Sequence, residues 1–137
     1  IAGKQLVIAA VNAGHGDQRL DLAEARARGD VLAVSIHGTD DALVRTAVAD
    51  ALAVGASIVV VHGGGVGRVE EADGHVVAWG LGPLALDRSG AEQPDGLVVR
   101  VRIPDLKTEL VPVATGLTNH PATLSPRRAA VLALAGS

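Results

Sequence analysis

The sequence predicts an α/β fold, a mostly parallel βαβ sheet continued by antiparallel strands, and three observations predict it. Two short, nearly continuous apolar runs, VLAVSI at 31–36 and SIVVV at 57–61, have the composition of strands buried on both faces. Between them Val44, Val48, Ala51 and Leu52 recur at helical spacing, so one amphipathic helix joins the two strands. Parallel neighbours need such a crossover, and the ends of neighbouring strands then lie about 5 Å apart. Further on, Val99, Val101 and Ile103 alternate with Arg100 and Arg102, the pattern of a half-exposed antiparallel strand.

In chain order, residues 5–11 (QLVIAAV) read as the first strand, and the turn-rich NAGHGD follows with His15. Residues 20–28 (LDLAEARAR) are good helix formers, and Gly29 is placed to end that helix. After the strand at 31–36, Thr39 or Asp40 offers a capping oxygen, and Asp40 and Asp41 suit the positive end of the next helix. Gly55 is placed to close it as a C′ residue. Asp73-Gly74 is a turn signal, and residues 75–87 (HVVAWGLGPLALD) read as one or two strands interrupted by Gly80, Gly82 and Pro83. Residues 87–95 form a polar loop, 96–103 the alternating strand, 109–114 its hairpin partner and 115–123 a loop. The chain closes on a helix with Ser125 as N-cap, Pro126 at N1 and Gly136 just past its end.

The 137 residues read as one domain, without internal repeat or low-complexity linker. There is no Phe, Tyr, Met or Cys and a single Trp79, so the core must rest on Val, Leu, Ile and Ala. Without cysteine there are no disulfides and no thiolate metal ligands. A net charge of −3 and the absence of a basic patch argue against a nucleic-acid partner. The apolar runs are strand-sized, so no membrane span is expected. A chain that begins at Ile1 and lacks Met reads as a processed or trimmed piece of a longer product.

Two histidines stand at strand ends. His37 follows VLAVSI and His62 follows SIVVV, and in parallel sheets ligands bind beyond the carboxyl ends of the strands. The pair is a candidate for holding a metal or a phosphate; the alternative is two polar residues that cap buried strands. His15 shares the position at a strand end, whereas His75 and His120 read as surface or turn residues. Gly63, Gly64 and Gly65 form a second candidate site: successive glycine amides approach anions closely. VVVHGGG resembles the phosphate loop of amino-acid kinases, which implies nucleotide binding. Such a loop should run into a helix, yet VGRVEEADG leads to a turn and another strand, and Lys4 precedes the opening strand instead of following it.

The order VSIHG, helix, ASIVVVHGGG, then GHVVAWGLGPLALD and DGLVVRVRI resembles the C-terminal half of the CapA family. These are capsule (poly-γ-glutamate) synthesis proteins of the calcineurin-like metallophosphoesterase superfamily, with pieces that typically read VSLHWG, GADVVVGHHPHVLQ and GKxIxYSLGNFVFD. Residues 30–38 match the first piece and 56–61 the approach to the second. Residues 74–87 run in register with the third, with Trp79 where Tyr is usual, Leu81, Gly82 and Asp87 kept, and Pro83 and Leu84 in place of Asn and Phe. The resemblance implies one half of a metallophosphoesterase sandwich. It also implies a divalent metal (Mn, Fe or Zn) held by His37 and His62.

The departures from the family are informative. The bridging Asp and the Asn ligand of the superfamily belong to the N-terminal half, and the last His of the second piece falls on Gly64 or Gly65. The implied site is therefore degenerate and needs a partner: the N-terminal half as a separate or cleaved chain, or a second copy. The resulting expectation is a CapA-like subunit linked to capsule or polyglutamate-type biosynthesis. The alternatives are a non-catalytic binding or structural module on the same fold, and an amino-acid-kinase-like nucleotide-binding domain.

Overall fold

The computed structural model describes residues 3–63, 65–82, 95–103, 105–114 and 123–136. Within them lie strands β1 (Leu6–Asn12), β2 (Val31–His37), β3 (Ile58–Val61), β4 (Val69–Ala72), β5 (His75–Trp79), β6 (Asp95–Arg102), β7 (Lys107–Ala114) and β8 (Thr123–Leu124). The helices are α1 (Gln18–Ala27), α2 (Asp41–Ala53) and α3 (Arg128–Ala135). The fold is α/β, with a five-stranded, mostly parallel sheet in the order β1-β2-β3-β5-β4 and an antiparallel sheet in the order β6-β7-β8. The chain divides into two compact units, one from Ile1–His62 with Glu71–Val77, the other from Gly63–Glu70 with Ala78–Ser137.

The first unit is the predicted crossover, with one more βα step in front of it. β1 pairs with β2 and β2 with β3, both parallel, in the registers Asn12↔His37 and Ile36↔Val61. α1 packs on β1 and β2, α2 packs on β2 and β3, and the two helices touch, so both lie on one face. That face holds the core: Leu22, Leu32, Val34, Ile36, Val48, Ala51 and Val59 are all buried. α2 starts where Asp40 accepts a hydrogen bond from the Leu43 N–H at 3.0 Å. It ends in a Schellman motif: the Gly55 N–H donates to the Leu52 carbonyl and the Ala56 N–H to the Ala51 carbonyl. Gly55 takes φ +88° there, which a side chain would resist.

The other face differs from the expectation of strands buried on both sides. From Leu32 to Ile36 of β2, and along β3, buried and half-buried residues alternate, and on β1 Leu6, Ile8, Ala10 and Asn12 are exposed. Ile8 is 73% exposed and Leu6 40%. An apolar run shows that both sides of a strand tolerate burial; it does not show that both are covered.

The sequence reading placed a turn at Asp73-Gly74 but no strand before it. The structure has a hairpin there, β4 to β5, with Asp73 at φ 49° and Gly74 at φ 77°. Two consecutive positive φ values are what a two-residue hairpin turn requires. β4 reads VEEA, and adjacent glutamates hide the alternation; charge on an edge strand also blunts it against foreign pairing.

The second unit packs Leu97, Val131 and Ala135 against Val66, Val69, Leu81, Val99 and Leu110. β6 and β7 pair antiparallel from Asp95↔Ala114 to Arg102↔Lys107, as the alternation requires. Gly67 lies so close to the Trp79 carbonyl that a Cβ would stand 1.8 Å from its oxygen. The last helix starts at Arg128, two residues after Pro126, and the turn before it is capped by Ser125. Its Oγ donates to Asp95 Oδ1 at 3.0 Å and accepts from the Arg127 N–H at 3.0 Å. Arg127 Nε donates to Asp95 Oδ2 at 2.9 Å, and Arg127 stands at the N-cap without a side-chain cap bond. Among the described residues no helix is long and apolar enough to cross a membrane.

Candidate functional site

The site is built by strand alternation in the first unit. Ile58 and Val60 point to the open face of the sheet, so His62, two residues on, stands on the same face. Register places Ser35 beside Ala10 and His37 beside Asn12, all on that face. The His62 N–H donates to the Ile36 carbonyl at 2.8 Å, which extends the ladder by one residue and sets His62 next to His37. The ring centroids of His37 and His62 are 6.2 Å apart, edge to face. His62 Nε2 lies 2.7 Å from Ser35 Oγ. The two histidines and Asn12 are exposed and Ser35 is half-buried. Together with Ala10 and Val11 they line a shallow hollow of about 300 Å³ at the carboxyl edge of the sheet. Ser35 is the residue that the sequence reading missed; the signal was its place as the one hydroxyl in an otherwise apolar strand.

Within the first unit, Asp40, Asp41 and His15 do not line this hollow. Asp40 is engaged in capping α2, and Asp41 lies in the first turn of that helix. His15 sits in the loop after β1, and its backbone N–H donates to the Asn12 carbonyl. Gly63 and Gly65 are exposed, and the Gly65 carbonyl accepts from the Gly82 N–H at 3.0 Å. Gly64 lies outside the described residues, as do Asp87 and His120. The glycine run leads into an isolated bridge at Val66 and then β4, so no helix dipole stands behind it.

A divalent metal can be tested against the donors present. Two imidazoles on one tetrahedral ion, with metal–nitrogen bonds of about 2.0–2.1 Å, hold their centroids about 5.2 Å apart. The observed 6.2 Å is wider by about 1 Å. Among the described residues no group of three or more histidines and carboxylates is placed to hold an ion, whereas a catalytic zinc usually takes three protein ligands. The described residues alone do not fit a metal centre.

Comparison with protein-family models gives no match, and comparison with curated proteins gives none either.

Proposed function

We propose that this chain is one part of a CapA-like, metallophosphoesterase-type assembly linked to capsule or polyglutamate-type polymer biosynthesis. In this proposal His37 and His62 are two ligands of a divalent metal whose remaining ligands come from a partner. The observation that supports it is continuity: the exposed apolar strip of Leu6 and Ile8 runs along the same sheet face that ends in the two imidazoles. A chain laid over that strip would bury apolar surface at about 25 cal/mol per Å² and bring its own donors to the histidines. The partner would be the N-terminal half of such a domain, as a separate or cleaved chain, or a second copy of this one.

The test is elemental analysis of the native protein with intact mass of everything that co-purifies. The expected result is stoichiometric Mn, Fe or Zn in a species heavier than 13.8 kDa, with the metal lost in His37→Ala and in His62→Ala. A metal-free species at the mass of this chain alone overturns the proposal.

A second reading has its own support, the engagement of His62 with Ser35 and, among the described residues, the lack of a carboxylate grouped with the two rings. It is a non-catalytic binding module that keeps the fold and uses the open face for contact alone. Association with a partner that persists unchanged in the His37→Ala, His62→Ala double variant favours this second reading.

A further inference from the structure

Ser35 and His62 place a hydroxyl and an imidazole nitrogen within 2.7 Å of each other, the separation at which a base activates a nucleophile. We propose that the two form a nucleophile–base pair that takes the acyl group of small, activated carboxylic esters. This inference uses different chemistry from the metal proposal and competes with it for His62, and it needs neither metal nor partner.

Four features support it. Burial does not demand the hydrogen bond, because His62 is exposed and Ser35 only half-buried, so water would satisfy either group. The atom facing the hydroxyl is Nε2, and an imidazole nitrogen that accepts from a hydroxyl is placed to take its proton. The pair opens into a hollow of about 300 Å³, the lower end of the range for small-molecule sites and enough for a short acyl chain. Asn12 lines the same hollow and carries the N–H donor type that stabilises an oxyanion.

In the step, Ser35 Oγ bonds to the ester carbonyl carbon while its proton passes to His62 Nε2. The tetrahedral oxyanion collapses, the bond from carbon to the leaving oxygen breaks, and that oxygen takes the proton from Nε2 and departs as the alcohol. Water then attacks the acyl-serine, His62 Nε2 receives the water proton and returns it to Ser35 Oγ, and the acid leaves. The sum is ester plus water giving acid plus alcohol.

The experiment treats the full chain with p-nitrophenyl acetate, follows nitrophenolate release, and maps the acetylated peptide by mass spectrometry. A burst approaching one equivalent is expected, with the acetyl group on Ser35. The burst rate should fall at least about 100-fold in His62→Gln, the scale of general-base catalysis, and acetylation of the 31–37 strand should vanish in Ser35→Ala. Ser35→Cys keeps a nucleophile of similar size and should be alkylated by iodoacetamide faster than the same cysteine beside His62→Gln. Circular dichroism of each variant verifies folding. Acetylation confined to lysines or other histidines overturns the proposal, as does a Ser35 rate that His62→Gln leaves unchanged.

Discussion

The proton in the bond between Ser35 and His62 decides between the two chemistries, and removing the hydroxyl reveals where it sits. If Oγ–H donates, neutral His62 carries its proton on Nδ1 and leaves Nε2 as the acceptor. If Nε2–H donates instead, Nδ1 keeps the free lone pair and is the nitrogen available to a metal. The perturbation is Ser35→Ala. A partly exposed hydrogen bond at 2.7 Å contributes about 1 kcal/mol net, and 1 kcal/mol is about fivefold in a population ratio. Ser35→Ala should therefore lower the Nδ1–H fraction of His62 about fivefold relative to Nε2–H. The assay is long-range proton–nitrogen correlation of the ring in ¹⁵N-labelled protein at about pH 9, where an ordinary imidazole is neutral. His62→Gln assigns the signals among the five histidines. A wild-type ring that is mostly Nε2–H, shifting toward Nδ1–H on loss of the hydroxyl, would refute the nucleophile and leave the metal proposal its ligand. An unchanged ratio would mean that the bond does not form in solution.

Four further outcomes follow from the packing. Asp95→Ala removes a carboxylate that binds Ser125 and Arg127 and leaves Ser125, only 7% exposed, without its acceptor. It should cost about 2–4 kcal/mol, read by urea unfolding through the fluorescence of Trp79, the only tryptophan. Leu22→Ala should cost about 2–5 kcal/mol in thermal or urea unfolding, since Leu22 is 1% exposed at the centre of the α1 contact. Gly55→Ala forces a side chain into φ +88° and should cost about 1–2 kcal/mol by the same measurement. Ile8→Lys, at a 73% exposed position, should move stability by no more than about 0.5 kcal/mol. The same variant should abolish any association through the open face, and sedimentation that matches wild type would count against that face as an interface.

The fold was legible where one local signal had one structural meaning. Apolar strand, capped helix, C′ glycine and apolar strand gave β2-α2-β3 with boundaries within a residue or two, because Asp40 and Gly55 mark the ends by hydrogen bonds that few other residues make. β4 was illegible because Glu70 and Glu71 follow one another, and an edge strand takes its pairing from its neighbour and not from its own pattern. At the start of α3 only the tertiary contact was illegible. Ser125 accepts from the Arg127 N–H, as its place before Pro126 suggests, but its proton goes to Asp95, thirty residues earlier. No local pattern carries that contact.

The site divides along the same line. That His37 and His62 would meet followed from two neighbouring parallel strands each ending in histidine. That Ser35 would join them needed the register, which places Ser35 opposite Val60 and His62 two residues further along the same face. Without it, Ser35 was a small residue in an apolar strand. With it, the one hydroxyl of that strand lies against the one imidazole that two functional readings both require. A metal would use His62 through Nδ1, and a nucleophile would use it through Nε2. The bond to Ser35 occupies Nε2 in either case, so the direction of one hydrogen bond determines which of the two chemistries this sheet edge can perform.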